Sequence, residues 1–334
     1  EKQEITRRSP SHGNLCDSGD DASALAVYAL NSGRCVVAAS RHAGREHTAR
    51  GGLRVYTHAA VFDDETYRRF RCDPLCVRDA FAAATGEAPI LTPQQRLEPL
   101  ELADPPLDRQ GGTGDDAIEQ DDVGRVLAVT AALLDGKSLI ISSAPNPGAS
   151  LRWIVAALPA VIRKRLTISD GLKFSLSRIF DLTIVQSPRP EVERQAEGRD
   201  VVVMDWPEAA ESGASPFRIW LDFVRRCWLS GRIADIDWLT TWMDRHESPK
   251  SLRRIVCVCD DMERVETADR AALSDIQARH VDADGSDLLM VELSGVLRSA
   301  VESRSAALDE QEAKAADAEA AEAGAAPLPS PTAS

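Results

Sequence analysis

The chain has 334 residues, a hydrophobic content of 43% and a formal net charge of −14. This acidic balance disfavours binding to nucleic acid or to anionic membranes, because both need a cationic protein surface. The seven cysteines are scattered along the chain, which favours a reducing cytoplasm, and no apolar run approaches the roughly 20 residues that cross a bilayer.

Residues 1–108 are predicted to form an amino-terminal α+β domain with a mixed sheet. Two short apolar runs flank the turn at residues 31–34, a pattern typical of a β-hairpin, and a third strand follows. Asp63 and the pair Asp73-Pro74 each supply the capping residues of a helix. The predicted strands are 24–30, 35–39 and 53–62, and the predicted helices end near residues 70 and 84.

An acidic segment, residues 109–122, is predicted to link this domain to a middle α/β domain at residues 123–210. The middle domain contains the clearest helical periodicity of the chain, a single apolar stripe over residues 150–165. Pro159 interrupts this stripe, so a break is predicted near Leu158. The other predicted elements are a helix at 123–134 and strands at 139–142, 166–169, 180–186 and 200–204.

Residues 214–305 are predicted to form a helical region, and residues 306–334 a disordered tail. Amphipathic patterns joined by short loops favour antiparallel packing, as in a small bundle. Four of the six tryptophans lie between residues 220 and 242, which indicates either a large aromatic core or a docking surface. The tail is rich in Ala and Glu and then in Pro and Ser, so it offers little to bury. The predicted fold class is α+β.

Two patterns are reminiscent of ligand sites without matching them. Gly136-Lys137-Ser138 ends like a phosphate-binding loop, but Ala131 replaces the first glycine, and the predicted order of helix and strand is inverted. A zinc site would draw on histidines whose spacings match no closed structural site, and on two cysteines that straddle a helix start. The residues of that second set are His42, His47, His58, Cys72 and Cys76. We therefore predict no metal and no cofactor.

Residues 46–58 are the most informative segment, because a polar loop there leads into a strand rich in β-branched and aromatic residues. Alternation along that strand places Arg54, Tyr56 and His58 on one face. This face is a solvated polar surface, a partner-binding surface, or a hydrolase site in which Tyr56, His58 and a nearby Cys or Ser form a base and a nucleophile. The predicted partner-binding residues are Arg50, Gly51, Gly52, Arg54, Tyr56 and His58, and no catalytic residue is assigned.

Short segments between residues 5 and 205 also occur in a recognisable order. Those of the first part are Pro10-Ser-His-Gly-Asn-Leu15, Ser32-Gly-Arg-Cys35, Ala49-Arg-Gly-Gly-Leu-Arg-Val-Tyr-Thr-His58 and Tyr67-Arg-Arg-Phe-Arg-Cys-Asp-Pro74. Those of the second part are residues 151–159, Arg163-Lys-Arg-Leu-Thr-Ile-Ser-Asp-Gly-Leu172 and Ser177-Arg-Ile-Phe180. This order resembles the amino-terminal and middle domains of the bacterial GTPase-associated protein family.

The resemblance implies a non-enzymatic adaptor or regulator that accompanies a small GTPase in a bacterial signalling or conflict system. The implied partner is the small GTPase or a related effector protein. We expect no nucleic-acid or membrane partner, and we expect the protein to lie in the cytoplasm. Arg50 is then either an arginine finger, which neutralises charge on a transferring phosphoryl group, or a solvated turn residue. The chain departs from the family pattern in lacking a first strand before Pro10, from which we expect a truncated amino terminus, and in residues 167–171, which replace a more aromatic run.

Two other functions stay open on the sequence alone. One is a hydrolase that uses the Arg54, Tyr56 and His58 face, which a deep pocket around His58 with a second titratable group would favour. The other is a protein-interaction module built on the Trp-rich helical region. Exposed tryptophans there would favour this module, because aromatic anchors dominate protein interfaces. The relevant side chains are Trp220, Trp228 and Trp242.

Overall fold

A computed structural model describes most of the chain, which forms two compact units, Glu1–Pro249 and Lys250–Ser334. The first unit contains a seven-stranded mixed sheet flanked by helices, and this confirms the α+β class. No helix in the described part of the chain is long and apolar enough to span a bilayer. The described residues are 1–10, 14–15, 22–45, 53–85, 99–104, 118–144, 146–176, 178–206, 215–232, 236, 239, 248–280 and 288–324.

The sheet has an antiparallel half and a parallel half. Its strands are β1 (Ser23–Ala29), β2 (Cys35–Arg45), β3 (Leu53–Phe62), β4 (Leu139–Ser142), β5 (Ile168–Asp170), β6 (Leu182–Val185) and β7 (Val202–Asp205). They lie in the order β3-β2-β1-β5-β6-β4-β7. Strand β1 pairs antiparallel with both β2 and β5, and β5, β6, β4 and β7 run parallel to one another. The predicted hairpin and third strand are therefore confirmed.

The pairing of β1 with β5 joins the predicted amino-terminal and middle domains into one unit. Val27 of β1 lies opposite Ile168 of β5, so a single sheet continues across the segment predicted to be a linker. The physical reason is that a three-stranded amino-terminal sheet would leave the backbone edge of β1 unpaired, and β5 completes it. The acidic segment also contributes the first turn of a helix, which begins at Gln120, whereas residues 105–117 lie outside the described residues.

Helices flank both faces of this sheet. They are α1 (Lys2–Arg8), α2 (Asp64–Arg69), α3 (Pro74–Thr85), α4 (Gln120–Leu134), α5 (Pro147–Ala157), α6 (Ala160–Arg165), α7 (Arg189–Ala196) and α8 (Arg218–Leu229). Asp63 and Asp73 cap α2 and α3 as predicted, since their carboxylates accept from the backbone N–H of Thr66 and Leu75, each at 2.8 Å. These caps set the positions of both helices against the sheet.

The predicted break at Pro159 divides one apolar stripe into α5 and α6. Pro159 has no backbone N–H to donate, so the carbonyl groups at the end of α5 need other partners. Arg163 supplies them: its Nε donates to the Leu158 carbonyl at 2.7 Å, and its Nη2 donates to the Ala156 carbonyl at 2.9 Å. This arginine, which is only 2% exposed, therefore stabilises the kink.

Helix α8 packs against α4 within the first unit, so the predicted helical region 214–305 is not one bundle. Trp220 and Trp228 are buried in α8, and the Trp220 indole donates to the Ala157 carbonyl at 2.9 Å. Of the two predicted roles, an aromatic core or a docking surface, the core is the one that these two tryptophans fill. Trp242 lies outside the described residues.

The second unit contains α9 (Pro249–Val265), α10 (Arg270–His280) and α11 (Leu288–Gly324). Helix α11 continues well past residue 305, which corrects the disordered tail over residues 306–324, while residues 325–334 lie outside the described part. Alanine and glutamate are strong helix formers, and exposed ion pairs connect the extended part to α10. Arg270 of α10 pairs with Asp309 and with Glu312, the latter at 2.9 Å.

Candidate functional site

One edge of the sheet collects the polar strand ends of the first unit. The pairing directions place two sets of strand ends at this edge. They are the carboxyl ends of β2, β4, β5, β6 and β7 and the amino ends of β1 and β3. We call this the carboxyl edge. Open α/β sheets bind their ligands at such an edge, because loops leave it toward both faces. The predicted site loop joins β2 to β3 at this edge, although Arg50, Gly51 and Gly52 lie outside the described residues.

Strand β3 is an edge strand that carries the rest of the predicted site. Arg54 is exposed, whereas Tyr56 and His58 are half-buried. The rings of Tyr56 and His58 contact each other with centroids 4.9 Å apart, which confirms that they share a face. On the opposite face a hydroxyl pair, Ser40 Oγ and Thr57 Oγ1 at 2.8 Å, joins β3 to β2.

Helix α3 covers part of the His58 face. The Phe81 ring meets the His58 ring edge to face, with centroids 5.3 Å apart. Burial lowers the pKa of His58, and the nearby Arg41, which lies opposite Tyr56 on β2, lowers this pKa further. Both effects favour the neutral form of the His58 ring. The inner end of this face is packed against Phe81, and Arg54 is exposed at its outer end.

The structure does not bring a carboxylate to His58 from the described residues. His58, Ala39, Leu25 and Asp170 lie in one row across β3, β2, β1 and β5. Three strand spacings separate the ends of this row, or about 14 Å at roughly 4.8 Å each. Asp170 therefore lies too far from His58 to orient it, and the groups identified next to His58 are two aromatic rings and Arg41.

Asp170 is nevertheless a notable group of the carboxyl edge, and sequence reasoning missed it. Burial raises the pKa of Asp170 to about 6, although the Arg78 guanidinium of α3 acts in the opposite direction. Arg78 is held by Asp79, whose carboxylate lies 2.6 Å from Arg78 Nη2. A carboxylate that ends a β-strand directly before a glycine was the available signal, because that glycine fixes where the strand turns.

We predict that replacing Asp170 with asparagine stabilises the first unit at neutral pH. A folded pKa of about 6 against an ordinary value of 3.8 means that the folded state holds the proton more tightly. The cost of ionising Asp170 is therefore absent below pH 4, develops between pH 4 and 6, and reaches about 3 kcal/mol above pH 6. Urea unfolding followed by tryptophan fluorescence should show this gain for Asp170→Asn at pH 7 and almost none at pH 4.

The control for this measurement is Asp200→Asn, because Asp200 is exposed. Asp200→Asn should leave the free energy of unfolding nearly unchanged at both pH values, since surface substitutions usually have small effects. An equal gain for Asp170→Asn at pH 4 and pH 7 would show that ionisation of Asp170 is not the cause.

The parallel half contributes a second polar pair to the carboxyl edge. Ser142 Oγ, fully buried at the end of β4, donates to Asp205 Oδ1 of β7 at 2.5 Å. Asp205 also lies 3.9 Å from Arg189 of α7. Across the described residues no three His, Cys, Asp or Glu side chains converge as metal ligands would. Of the zinc set considered above, Cys76 Sγ instead donates to the helix-capping Asp73, at 3.3 Å.

Comparisons with protein families, with curated proteins and with solved structures find no match for this chain. The resemblance to the GTPase-associated family therefore stays a prediction that rests on the sequence segments quoted above.

Proposed function

We propose that the protein is a non-enzymatic adaptor or regulator that binds a small GTPase, or a related effector, through β3 in a bacterial signalling or conflict system of the cytoplasm. The observation that carries this proposal is the position of β3 at the open side of the sheet. Among the described strands β3 pairs with β2 alone, and it presents the exposed Arg54 at the carboxyl edge. The resemblance supplies the class of partner.

The packing around His58 on β3 favours partner binding over catalysis. Phe81 and Tyr56 pack against His58, and burial lowers the pKa of His58, which favours the neutral ring. A general base needs a nucleophile within about 3 Å, and a third group usually orients the base. The geometry offers His58 a packing role instead, while the exposed Arg54 is available for a charged partner. The hydrolase alternative accordingly has less support.

Binding of purified small GTPases from the same organism tests the proposal. Titration calorimetry with the full chain should give a measurable affinity, and Arg54→Glu should weaken it by about 30-fold, because a like charge replaces an attractive one at the interface. Arg199→Glu is the matched control: Arg199 is also exposed, but it precedes β7 at the opposite edge of the sheet. An equal loss for both variants, or for neither, would contradict a site at β3.

The arginine-finger hypothesis for Arg50 has its own test. If Arg50 stabilises phosphoryl transfer, then Arg50→Ala should reduce stimulated GTP hydrolysis by about a thousandfold or more, and Arg50→Lys should rescue little, because lysine lacks the planar fork. Single-turnover hydrolysis by the GTPase, with and without the full chain, gives the rate. An unchanged stimulated rate in Arg50→Ala would leave Arg50 as a turn residue.

A further inference from the structure

We infer that the partner binds by adding an extended segment to β3 as a further strand, with acidic side chains at alternate positions that face Arg54 and Tyr56. This inference rests on the proposed function for the identity of the partner, but its chemistry comes from β3 itself. The partner segment is defined by two properties: a free backbone edge of its own, and an acid-x-acid pattern on one face.

The backbone of β3 is suited to strand addition because the strand is long and regular. It runs from Leu53 to Phe62, about 33 Å at roughly 3.3 Å per residue, which exceeds the usual strand length. The one irregularity in its pairing is a bulge that lies in β2, between His42 and Arg45. Proteins commonly blunt an edge with a bulge in the edge strand itself. Here the bulge lies on the inner strand, and the backbone of β3 stays straight.

The burial of β3 side chains agrees with an open outer edge. Residues 55–59 are all half-buried, on both faces of the sheet, although each has β2 beside it. In the interior strand β1, five consecutive residues are buried. Val61, on the face opposite Arg54, is 37% exposed. An added strand would cover these half-exposed side chains, as strand addition does in other recognition domains.

The charges along β3 specify an acidic segment. Arg54 is exposed and forms no ion pair with any described residue, and Arg41 lies on the same face, opposite Tyr56. Glu46 lies outside the described residues, and the acids that follow β3, Asp63 and Asp64, lie beyond its far end, where they are engaged by a helix cap and by Lys164. Opposite charges placed across neighbouring strands stabilise pairing, and like charges oppose it. An acidic segment therefore pairs best at the amino-terminal half of β3.

The test uses the full chain and labelled synthetic peptides of about ten residues, the length of an added strand. The first peptide alternates glutamate with valine and threonine. A second replaces each glutamate with lysine. A third keeps the glutamates but carries N-methyl groups on alternate backbone amides, which removes strand pairing and preserves charge. Fluorescence anisotropy at low ionic strength measures the three affinities.

We expect the glutamate peptide to bind at least about tenfold more tightly than either of the others, because it alone supplies both the charge and the backbone hydrogen bonds. Arg54→Glu should reverse the preference between glutamate and lysine peptides, Arg54→Lys should retain it, and Arg199→Glu should have no effect. Circular dichroism of each variant verifies that the sheet is intact.

Three results would overturn the inference. Equal binding of the N-methylated peptide would mean that side-chain charge acts without strand addition. If the glutamate and lysine peptides bind equally well, or if neither binds, then the proposed preference for an acidic segment is wrong. Concentration-dependent dimerisation of the full chain that Arg54→Glu abolishes would place a second copy on β3. If the GTPase binds through Arg54 but the peptides do not, then the inference fails and the proposed function stands. If the glutamate peptide binds but the GTPase does not, then the inference stands and the proposed function fails.

Discussion

Replacing Gly171 with alanine is expected to destabilise the first unit by about 4 kcal/mol, the largest single effect that this fold predicts. Gly171 has a φ of +74°, in the left-handed region that favours glycine. A Cβ atom there would overlap the Ser23 carbonyl oxygen and would lie 3.1 Å from the Ala24 Cα. Both obstacles are backbone atoms of β1, so the paired strands themselves would have to separate.

Tryptophan fluorescence measures this loss selectively, because all six tryptophans precede residue 250 and therefore lie in the first unit. The thermal midpoint of Gly171→Ala should fall by roughly 10 °C. The matched control is Gly33→Ala: Gly33 has a φ of +82° but nothing within 4 Å of its added Cβ. Gly33→Ala should lower the free energy of unfolding by only about 1 kcal/mol, because only the backbone conformation is unfavourable for alanine there. Similar losses at the two positions would contradict the predicted overlap with β1.

Asp261→Ala is expected to destabilise the second unit by about 3 kcal/mol. Asp261 is 4% exposed on α9, and its two carboxylate oxygens contact two side chains of α10. Arg279 Nη2 lies 2.7 Å from one oxygen, and His280 Nε2 lies 2.8 Å from the other. Removing the carboxylate leaves His280 largely buried without its partner, and such orphaned polar groups are costly. Helix α10 would then separate from α9.

Urea unfolding followed by the helical circular dichroism signal reports on both units, whereas tryptophan fluorescence reports on the first unit alone. Asp261→Ala should lower the stability of the transition that carries no fluorescence change and leave the fluorescent transition in place. Asp275→Ala, on the exposed side of α10, is the control and should change neither. A shift of the fluorescent transition alone would mean that Asp261 does not stabilise the second unit.

The sequence predicts those parts of this fold that depend on neighbouring residues. The β1–β2 turn, the caps at Asp63 and Asp73 and the break at Pro159 are all set by residues within a few positions of the feature. Helices α1 and α7 were missed, because short helices with little apolar periodicity have no local signature. The part of α11 after residue 305 was predicted to be a disordered tail, because composition alone does not reveal the ion pairs of Arg270.

Long-range pairing set the limit on predicting the candidate site. Alternation alone places Arg54, Tyr56 and His58 on one face, as the structure confirms. Strand order is not contained in alternation, so neither the edge position of β3 nor the row that ends at Asp170 was foreseen. The contact of Phe81 with His58 depends on how α3 crosses the sheet, which no periodicity specifies. Only these non-local features show that the predicted face lies on an edge strand.

Hydrogen exchange of the full chain, alone and with a small GTPase from the same organism added, tests the central claim most directly. Backbone amides exchange slowly once they form hydrogen bonds, so partner binding along β3 should protect those amides of residues 54–61 that are not already bonded to β2. We expect the strongest new protection on β3, and we expect Arg54→Glu to abolish it. Strong protection elsewhere on the chain, with exchange along β3 unchanged, would contradict partner binding through β3.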